Sequence, residues 1–210
     1  MKMNERAVSE AIGFIIILGI VMSGIGLVTL YGYPVLVKEQ SNTDVRNMER
    51  AMIVIQNDMK SLCFKNVPYK ETTLQVSGGT LEVINSSDSN SMFMITTGNT
   101  LDVEFSPGAL TYRSDRGTEV ITLENGAVIR RQEDAAGSAM LAEPRWFYDN
   151  STGTFVIYLM NITTDERMAK SGVATVRMSL EDVVTNVSSS PGGEEITVIY
   201  GGDTNNDNSV

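Results

Sequence analysis

The sequence predicts an α+β protein in which a long amino-terminal helix is followed by an antiparallel β-rich head, built as a sandwich or a curled sheet. Three patterns predict this fold: an uncharged run over 11–37, a helical apolar stripe ending near residue 66, and two-residue alternation from about residue 72. The expected segments are a leader (1–7), an apolar helix (8–37), an amphipathic helix (38–66), a β-rich head (67–200) and a flexible polar tail (201–210).

The uncharged run contains 27 residues. As a helix it would be ~40 Å long, which exceeds the ~30 Å hydrocarbon core of a bilayer. Gly19 and Ser23 stand four residues apart, a spacing that lets a second helix approach closely, although an ordinary membrane anchor also contains glycine. Pro34 lacks an amide hydrogen, which predicts a kink or a break there.

Charge predicts the orientation of this helix. Lys2 and Arg6 precede it, and the acidic remainder of the chain follows it. The positive-inside rule therefore places the amino terminus in the cytoplasm and the head outside the cell, with the helix as a single span. A secretory cut near Ser23 is disfavoured, because it would leave 25–37 as an exposed apolar tail. The remaining alternatives are an uncut anchor and a cut before the apolar run.

The residues before the apolar run carry a recognisable motif. Arg6-Ala7 followed by Val8-Ser9-Glu10-Ala11-Ile12-Gly13 resembles the class III signal peptide of archaeal type IV pilins. The resemblance implies that a prepilin peptidase cuts between Ala7 and Val8. It also implies that the peptidase and the pilus assembly machinery recognise Ser9, Glu10, Ile12 and Gly13, and that the helix binds copies of itself or other pilins.

Glu10 has two interpretations. A carboxylate at the edge of a membrane helix is costly unless it is paired. The new amine of Val8, on the same or a neighbouring subunit, would supply a partner. Alternatively, Glu10 lies at the level of the lipid headgroups.

The second half of the long helix has an apolar stripe with alternating spacings of three and four residues. Its members are Val45, Met48, Met52, Ile55, Met59 and Leu62. Such a stripe is expected to pack on its own domain rather than on another chain.

The head is predicted from alternation and turn residues. The segments 118–123 and 127–131 flank Glu124-Asn125-Gly126 and predict a hairpin, and Gly78-Gly79 predicts a second hairpin between 74–76 and 80–84. A polar stretch over 132–144 is expected to be a surface loop or a short helix. Further strands are expected at 92–97, 101–105, 109–113, 154–161, 173–180 and 195–200.

Composition argues against several functions. The chain has no histidine and one cysteine, Cys63, so it lacks the imidazole of most catalytic triads and cannot form an internal disulfide. Its net charge of −10 disfavours nucleic acid as a partner. The carboxylate pairs Glu181-Asp182 and Glu194-Glu195 are expected to be solvated rather than to form a hydrolase site. We therefore expect no enzymatic activity and no cofactor.

Two kinds of site remain as candidates. The tail places Asp203, Asn205 and Asp207 at alternate positions, as a calcium loop begins, but it lacks the later glycine and glutamate, so a metal-free polar tail is expected. Four N-x-S/T sequons predict glycosylation of the exported head, first at the loop positions Asn85 and Asn150. The four asparagines are Asn85, Asn150, Asn161 and Asn186.

Together these features predict an archaeal type IV pilin-like subunit that is exported and inserted in the cell membrane. Its apolar helix would exchange lipid for neighbouring helices in a surface filament that serves adhesion, attachment or motility. The alternative is a single-pass surface protein that binds a ligand and never polymerises. The amino terminus of the mature protein separates them: Val8 favours the pilin, and Met1 favours the anchor.

Overall fold

One helix, α1, begins the chain and extends over Glu5–Lys65. The computed structural model describes residues 5–65, 67–89, 91–98, 100–133, 137–185, 187 and 195–202, with the backbone alone for 5–8, 100–102 and 202. The chain divides into two units, Met1–Thr43 and Asp44–Val210, called here the amino-terminal unit and the head unit.

The amino-terminal unit is helical throughout its described residues. Of the kink or break predicted at Pro34, the break does not occur, because α1 continues through this residue. A proline removes one amide donor, and the hydrogen bonds of the turns on either side are sufficient to keep the helix continuous.

The described residues of the head unit form eleven strands and a short 3₁₀ helix, Ser86–Asp88. The strands are β1 Tyr69–Ile84, β2 Ser91–Thr97, β3 Thr100–Phe105, β4 Ala109–Ser114, β5 Glu119–Glu124, β6 Ala127–Gln132, β7 Ser138–Ala142, β8 Trp146–Asp149, β9 Thr154–Ile157, β10 Met168–Ser179 and β11 Ile196–Gly202. Six form a sheet in the order β10-β1-β4-β5-β6-β7, three form a second sheet in the order β11-β2-β3, and β8 pairs with β9. Every described pair is antiparallel, which confirms the predicted α+β class.

The core of the head unit lies between the second half of α1 and the six-stranded sheet. Met52 and Ile55 on the helix are fully buried, as are Tyr112 on β4 and Leu123 on β5. The stripe therefore packs on its own domain, as predicted. Gln56 secures the helix further, because its Nε2 donates to the carbonyl oxygens of Gly126 at 2.6 Å and Glu143 at 3.1 Å.

The hairpin between β5 and β6 confirms the turn predicted at Asn125-Gly126. Both residues have positive φ, 46° and 73°, as the favoured two-residue hairpin turn requires. The Oδ1 of Asn125 accepts a hydrogen bond from the amide of Met160 at 2.8 Å, which holds the turn against the chain after β9.

The hairpin predicted at Gly78-Gly79 is wrong, because both glycines lie inside the single strand β1. The pairing of β1 with β10 shifts register between Val76 and Leu81, so the glycines form a bulge. A Cβ at Gly78 would lie 2.7 Å from Oδ2 of Asp44, and one at Gly79 would overlap the ring of Tyr112. These glycines permit close approach of neighbouring groups rather than a reversal of the chain.

The region 132–144 also differs from the prediction of a loop or short helix, because it includes the edge strand β7. This strand pairs with β6, which supplies backbone partners that local polarity does not reveal. Strand β8 was not predicted, and β9 ends at Ile157, four residues before the predicted end.

Candidate functional site

The amino-terminal unit presents an apolar surface on all sides of α1. From Ile12 to Leu36 the large apolar side chains range from 43% exposed at Leu18 to 72% exposed at Val28. Among the residues that the structure describes, one helix is long and apolar enough to cross a membrane, and it contains this segment. Such a surface requires either lipid or other protein around it.

Small residues leave open positions on this surface. A Cβ placed on Gly13, Gly19, Gly24 or Gly26 would meet no atom within 4 Å. Gly19 and Ser23 lie one turn apart on one face of the helix. This face can therefore accept the close approach of another helix.

The residues of the predicted signal lie at the start of α1. The backbone of Ala7 and Val8 is helical, so the predicted cleavage point lies in the first turn. Ser9, Glu10 and Ile12 are exposed. Within the part of the chain whose side chains the structure describes, Glu10 has no ion-pair partner.

Three of the predicted glycosylation sites lie in described parts of the head unit. Asn150 and Asn161 are exposed and outside strands. Asn85 is half-buried, and its Nδ2, the atom that would carry a glycan, donates to the carbonyl oxygen of Thr164 at 2.9 Å. Asn150 and Asn161 are therefore the more accessible acceptors. Asn186 lies outside the described residues, as do Asp203, Asn205 and Asp207 of the tail.

A groove of about 860 Å³ on the head unit was not predicted from the sequence. The last turns of α1 form one wall through side chains from residues 57–65, and the chain over 140–147 forms the other. Three cations line it, Lys60, Lys65 and Arg145, with one carboxylate, Glu143. We call this feature the basic groove. Residues more than 70 positions apart meet here, and the sequence carried no signal for it.

Aromatic rings fix Arg145 at the basic groove. Its guanidinium carbon lies 4.3 Å from the ring centroid of Phe64 and 5.1 Å from that of Tyr158, within the range of cation–π attraction. The two rings contact each other edge to face at 4.7 Å. Trp146 donates from Nε1 to the carbonyl oxygen of Tyr158 at 3.2 Å, so this wall is positioned by both β8 and the chain after β9.

A buried carboxylate joins two of the sheets. Glu124 at the end of β5 is 8% exposed, and its Oε1 accepts a hydrogen bond from the hydroxyl of Tyr200 on β11 at 3.0 Å. Desolvation raises the pKa of Glu124 above its ordinary value, and the hydrogen bond from Tyr200 lowers it in part. Burial likewise raises the pKa of Tyr200. This contact links the three-stranded sheet to the six-stranded sheet.

The match to a known protein family spans both units of the chain. A family model described as a family of unknown function, DUF7289, matches residues 6–200. The chain belongs to DUF7289. No curated protein and no solved structure matches this DUF7289 protein. The match starts in the first turn of α1 and ends in β11. The apolar helix and the β-rich head therefore both lie within the region that the DUF7289 family covers.

The acidic residues of this DUF7289 protein do not converge on a metal site in the described parts of the chain. There, no group of three or more Cys, Asp or Glu side chains is placed to hold an ion. The described members of the two carboxylate pairs, Glu181, Asp182 and Glu195, are exposed.

Proposed function

We propose that this DUF7289 protein is an exported, archaeal type IV pilin-like subunit whose amino-terminal helix first anchors it in the cell membrane and then mediates assembly into a surface filament. The filament serves adhesion or attachment. The proposal assigns no catalytic activity to the chain, in keeping with its lack of histidine.

The observation that carries the proposal is the all-round exposure of the apolar side chains between Ile12 and Leu36. Each Å² of apolar surface left in water costs about 25 cal/mol, so a helix of this length needs a permanent apolar environment. Lipid provides it for a single copy. Neighbouring helices provide it in a filament, and the open face around Gly19 and Ser23 suits such packing.

The start of the helix supports processing and assembly rather than anchoring alone. The motif over residues 6–13 resembles the archaeal pilin signal, and Glu10 has no partner in the described chain. In the proposal, cleavage after Ala7 creates an amine at Val8. That amine, or the one on a neighbouring subunit, pairs with the Glu10 carboxylate at the membrane edge.

Amino-terminal sequencing of the native protein tests the proposal. Membrane fractions and material sheared from the cell surface are compared. We expect Val8 at the amino terminus in both fractions, and filaments in the sheared one. Ala7→Leu places a bulkier side chain directly before the cut and is expected to leave residues 1–7 attached, whereas Ala11→Leu, beyond the cut, serves as the matched control. An intact Met1 together with absence from sheared material would refute the proposal.

The basic groove favours a second candidate function, that of an anchored surface protein that binds an acidic ligand and does not polymerise. The groove brings together Lys60, Lys65 and Arg145, and these cations have no carboxylate partner within the described residues. The same sequencing experiment separates the candidates, because this one predicts an uncut chain that stays in the membrane.

A further inference from the structure

The cations of the basic groove differ from five other cations of the head unit, which pair with carboxylates. Within the described residues, Lys60, Lys65 and Arg145 form no ion pair, although Nζ of Lys60 donates to the carbonyl oxygen of Glu143 at 3.0 Å. Arg46, Arg50 and Lys170 are also unpaired but lie outside the groove. Carboxylates pair with the following five cations of the head unit: Lys70, Arg113, Arg130, Arg167 and Arg177.

The lining of the basic groove is net positive, whereas the chain as a whole is net negative. Three cations against one carboxylate give the lining a local excess of positive charge, while the chain carries −10. Apolar surface lies beside these cations, since Met140 is 56% and Phe147 44% exposed. An occupant that suits this lining carries carboxylates next to apolar side chains.

The head unit itself displays a segment of that composition. Residues 181–184, Glu-Asp-Val-Val, follow β10 without forming a helix or strand, and we call them the acidic segment. Val183 is 62% and Val184 75% exposed. Neither carboxylate pairs with a cation in the described chain: Glu181 accepts from Thr163 at 3.5 Å, and Asp182 from the amide of Val183 at 2.7 Å.

We propose that the acidic segment of one copy of this chain occupies the basic groove of the next copy. The carboxylates of Glu181 and Asp182 face the cations of the groove, and the two valines cover its apolar surface. The contact joins two different patches of the same chain, so it is heterologous, and repetition of such a contact builds rings or open filaments. The inference rests on the proposed assembly. It adds a contact between the head units of neighbouring copies to the contact made by their helices.

Cross-linking of assembled full-length protein tests this contact directly. Unlabelled and nitrogen-15-labelled copies are assembled together, and a zero-length carbodiimide joins ammonium groups to carboxylates that touch. We expect cross-links from Lys60 or Lys65 to Glu181 or Asp182, and we expect them to join unlabelled peptides to labelled ones. Links confined to peptides of the same label would place the contact within one chain and overturn the proposal.

Charge reversal provides the second test. Glu181→Lys with Asp182→Lys is expected to lower the share of processed protein recovered in sheared filaments about tenfold or more, because it sets like charges against each other. The matched control is Asp165→Lys with Glu166→Lys, a second exposed acidic pair outside the segment. This control is expected to retain the wild-type share of protein in filaments.

Reversal of the groove completes the test. Lys60→Glu with Arg145→Glu is expected to reduce the share of protein in filaments as strongly, and combination with the reversed acidic segment is expected to restore that share. The matched control is Arg46→Glu with Arg50→Glu, which reverses two cations of the head unit that lie outside the groove.

The outcomes separate the two proposals. Filaments that form normally without cross-links between groove and segment would overturn the head contact and leave the helix-mediated assembly intact. A wild-type protein that stays monomeric after processing would overturn both. A groove that instead captures acidic polysaccharide or an unrelated acidic peptide, with no link between copies, would also overturn the contact.

Discussion

The two parts of α1 are both rich in apolar residues, yet they distribute them differently. In the amino-terminal unit the large apolar side chains face every direction and are exposed, Ile25 and Val28 among them. In the head unit they form one stripe, and Met52 and Ile55 are fully buried against the sheet. The two parts differ in the periodicity of their apolar residues rather than in apolar content. The first part needs apolar surroundings from outside the chain, whereas the second part already packs on the sheet.

The contrast assigns separate sources of stability to the two units. Packing of the stripe stabilises the head unit from within its own chain. In the proposed function, the amino-terminal unit gains its stability from lipid or neighbouring helices. Substitutions that disturb one source should leave the other unaffected.

The largest effect is expected from a core truncation in the stripe. Ile55→Ala should lower the free energy of unfolding of the head by about 2–5 kcal/mol, because it leaves a cavity at a fully buried position. Ile20→Ala, at a position that is 67% exposed, is the control and should leave head stability unchanged. Thermal unfolding in detergent measures both, with an expected Tm decrease of about 4–20 °C for the first. Equal decreases for the two variants would contradict the contrast.

A charge placed in the amino-terminal unit should give the converse result. Ile25→Lys should disfavour membrane insertion by about 3 kcal/mol, since a lysine at the centre of a membrane helix is costly. The head should keep the wild-type Tm. The measurement is the share of protein recovered in the membrane fraction, and Asn47→Lys, exposed on the head part of α1, is the control. A retained membrane share for Ile25→Lys would argue that the segment does not span the bilayer.

Removal of a buried amide should have an intermediate effect. Gln56→Met keeps the size of the side chain but deprives the carbonyl oxygens of Gly126 and Glu143 of a donor. The expected cost is about 1–3 kcal/mol in unfolding free energy, measured by denaturant titration. Asn47→Met serves as the matched control on the exposed face. A gain in stability would show that apolar packing outweighs these hydrogen bonds.

The smallest effect concerns pH and again separates the units. Burial raises the pKa of Glu124 in the folded head, so the folded state binds its proton more tightly than the unfolded state does. This contribution to stability is full below the ordinary pKa of glutamate and is lost as the pH rises through the raised value. In Glu124→Gln this pH-dependent loss of stability is absent. The Tm of the variant relative to that of the wild type should therefore rise as the pH increases. Parallel Tm curves would contradict this assignment.

A depressed carboxyl pKa provides the opposite sign within the same head. The hydrogen bond from Thr72 holds the pKa of Asp58 below its ordinary value. Its stabilising contribution is therefore present above that ordinary value and is lost as the pH falls. Comparison of Glu124→Gln with wild type at each pH cancels the shared contribution of Asp58. Residues 11–37 lack acidic and basic side chains, so their membrane partition should not change over the same range.

The helix and one hairpin could be predicted because their signals are local. Val45, Met48 and Met52 repeat at helical spacing, and that spacing alone defines the buried face. Asn125 and Gly126 are residues that adopt positive φ readily, so the turn follows from backbone sterics.

The errors arise where distant residues decide the local structure. Gly78 and Gly79 gave a turn signal, but Asp44 and Tyr112 approach them closely and keep β1 continuous. Strand β7 forms because β6 supplies its partners. In both cases tertiary contacts outweighed the local pattern.

The same distinction between local signals and distant contacts applies to the candidate functional features. The apolar helix and its signal motif are contiguous in sequence and could be predicted. The basic groove could not, because it brings the end of α1 to Arg145 and Trp146, and the link between Glu124 and Tyr200 spans 76 positions. Polarity along the chain carries no information about which distant segments meet.

The outer edge of β10 affects how readily the head unit associates with other molecules. None of the described strands pairs with this edge of the six-stranded sheet, and Val173 on β10 is 69% exposed. Unpaired strand edges invite neighbouring molecules to add on and aggregate. Lys170 is exposed on the same strand, and Arg177 is held by Glu71 at 3.2 Å. These charges disfavour the pairing of this edge with a strand of another molecule, so the exposed edge need not lead to aggregation.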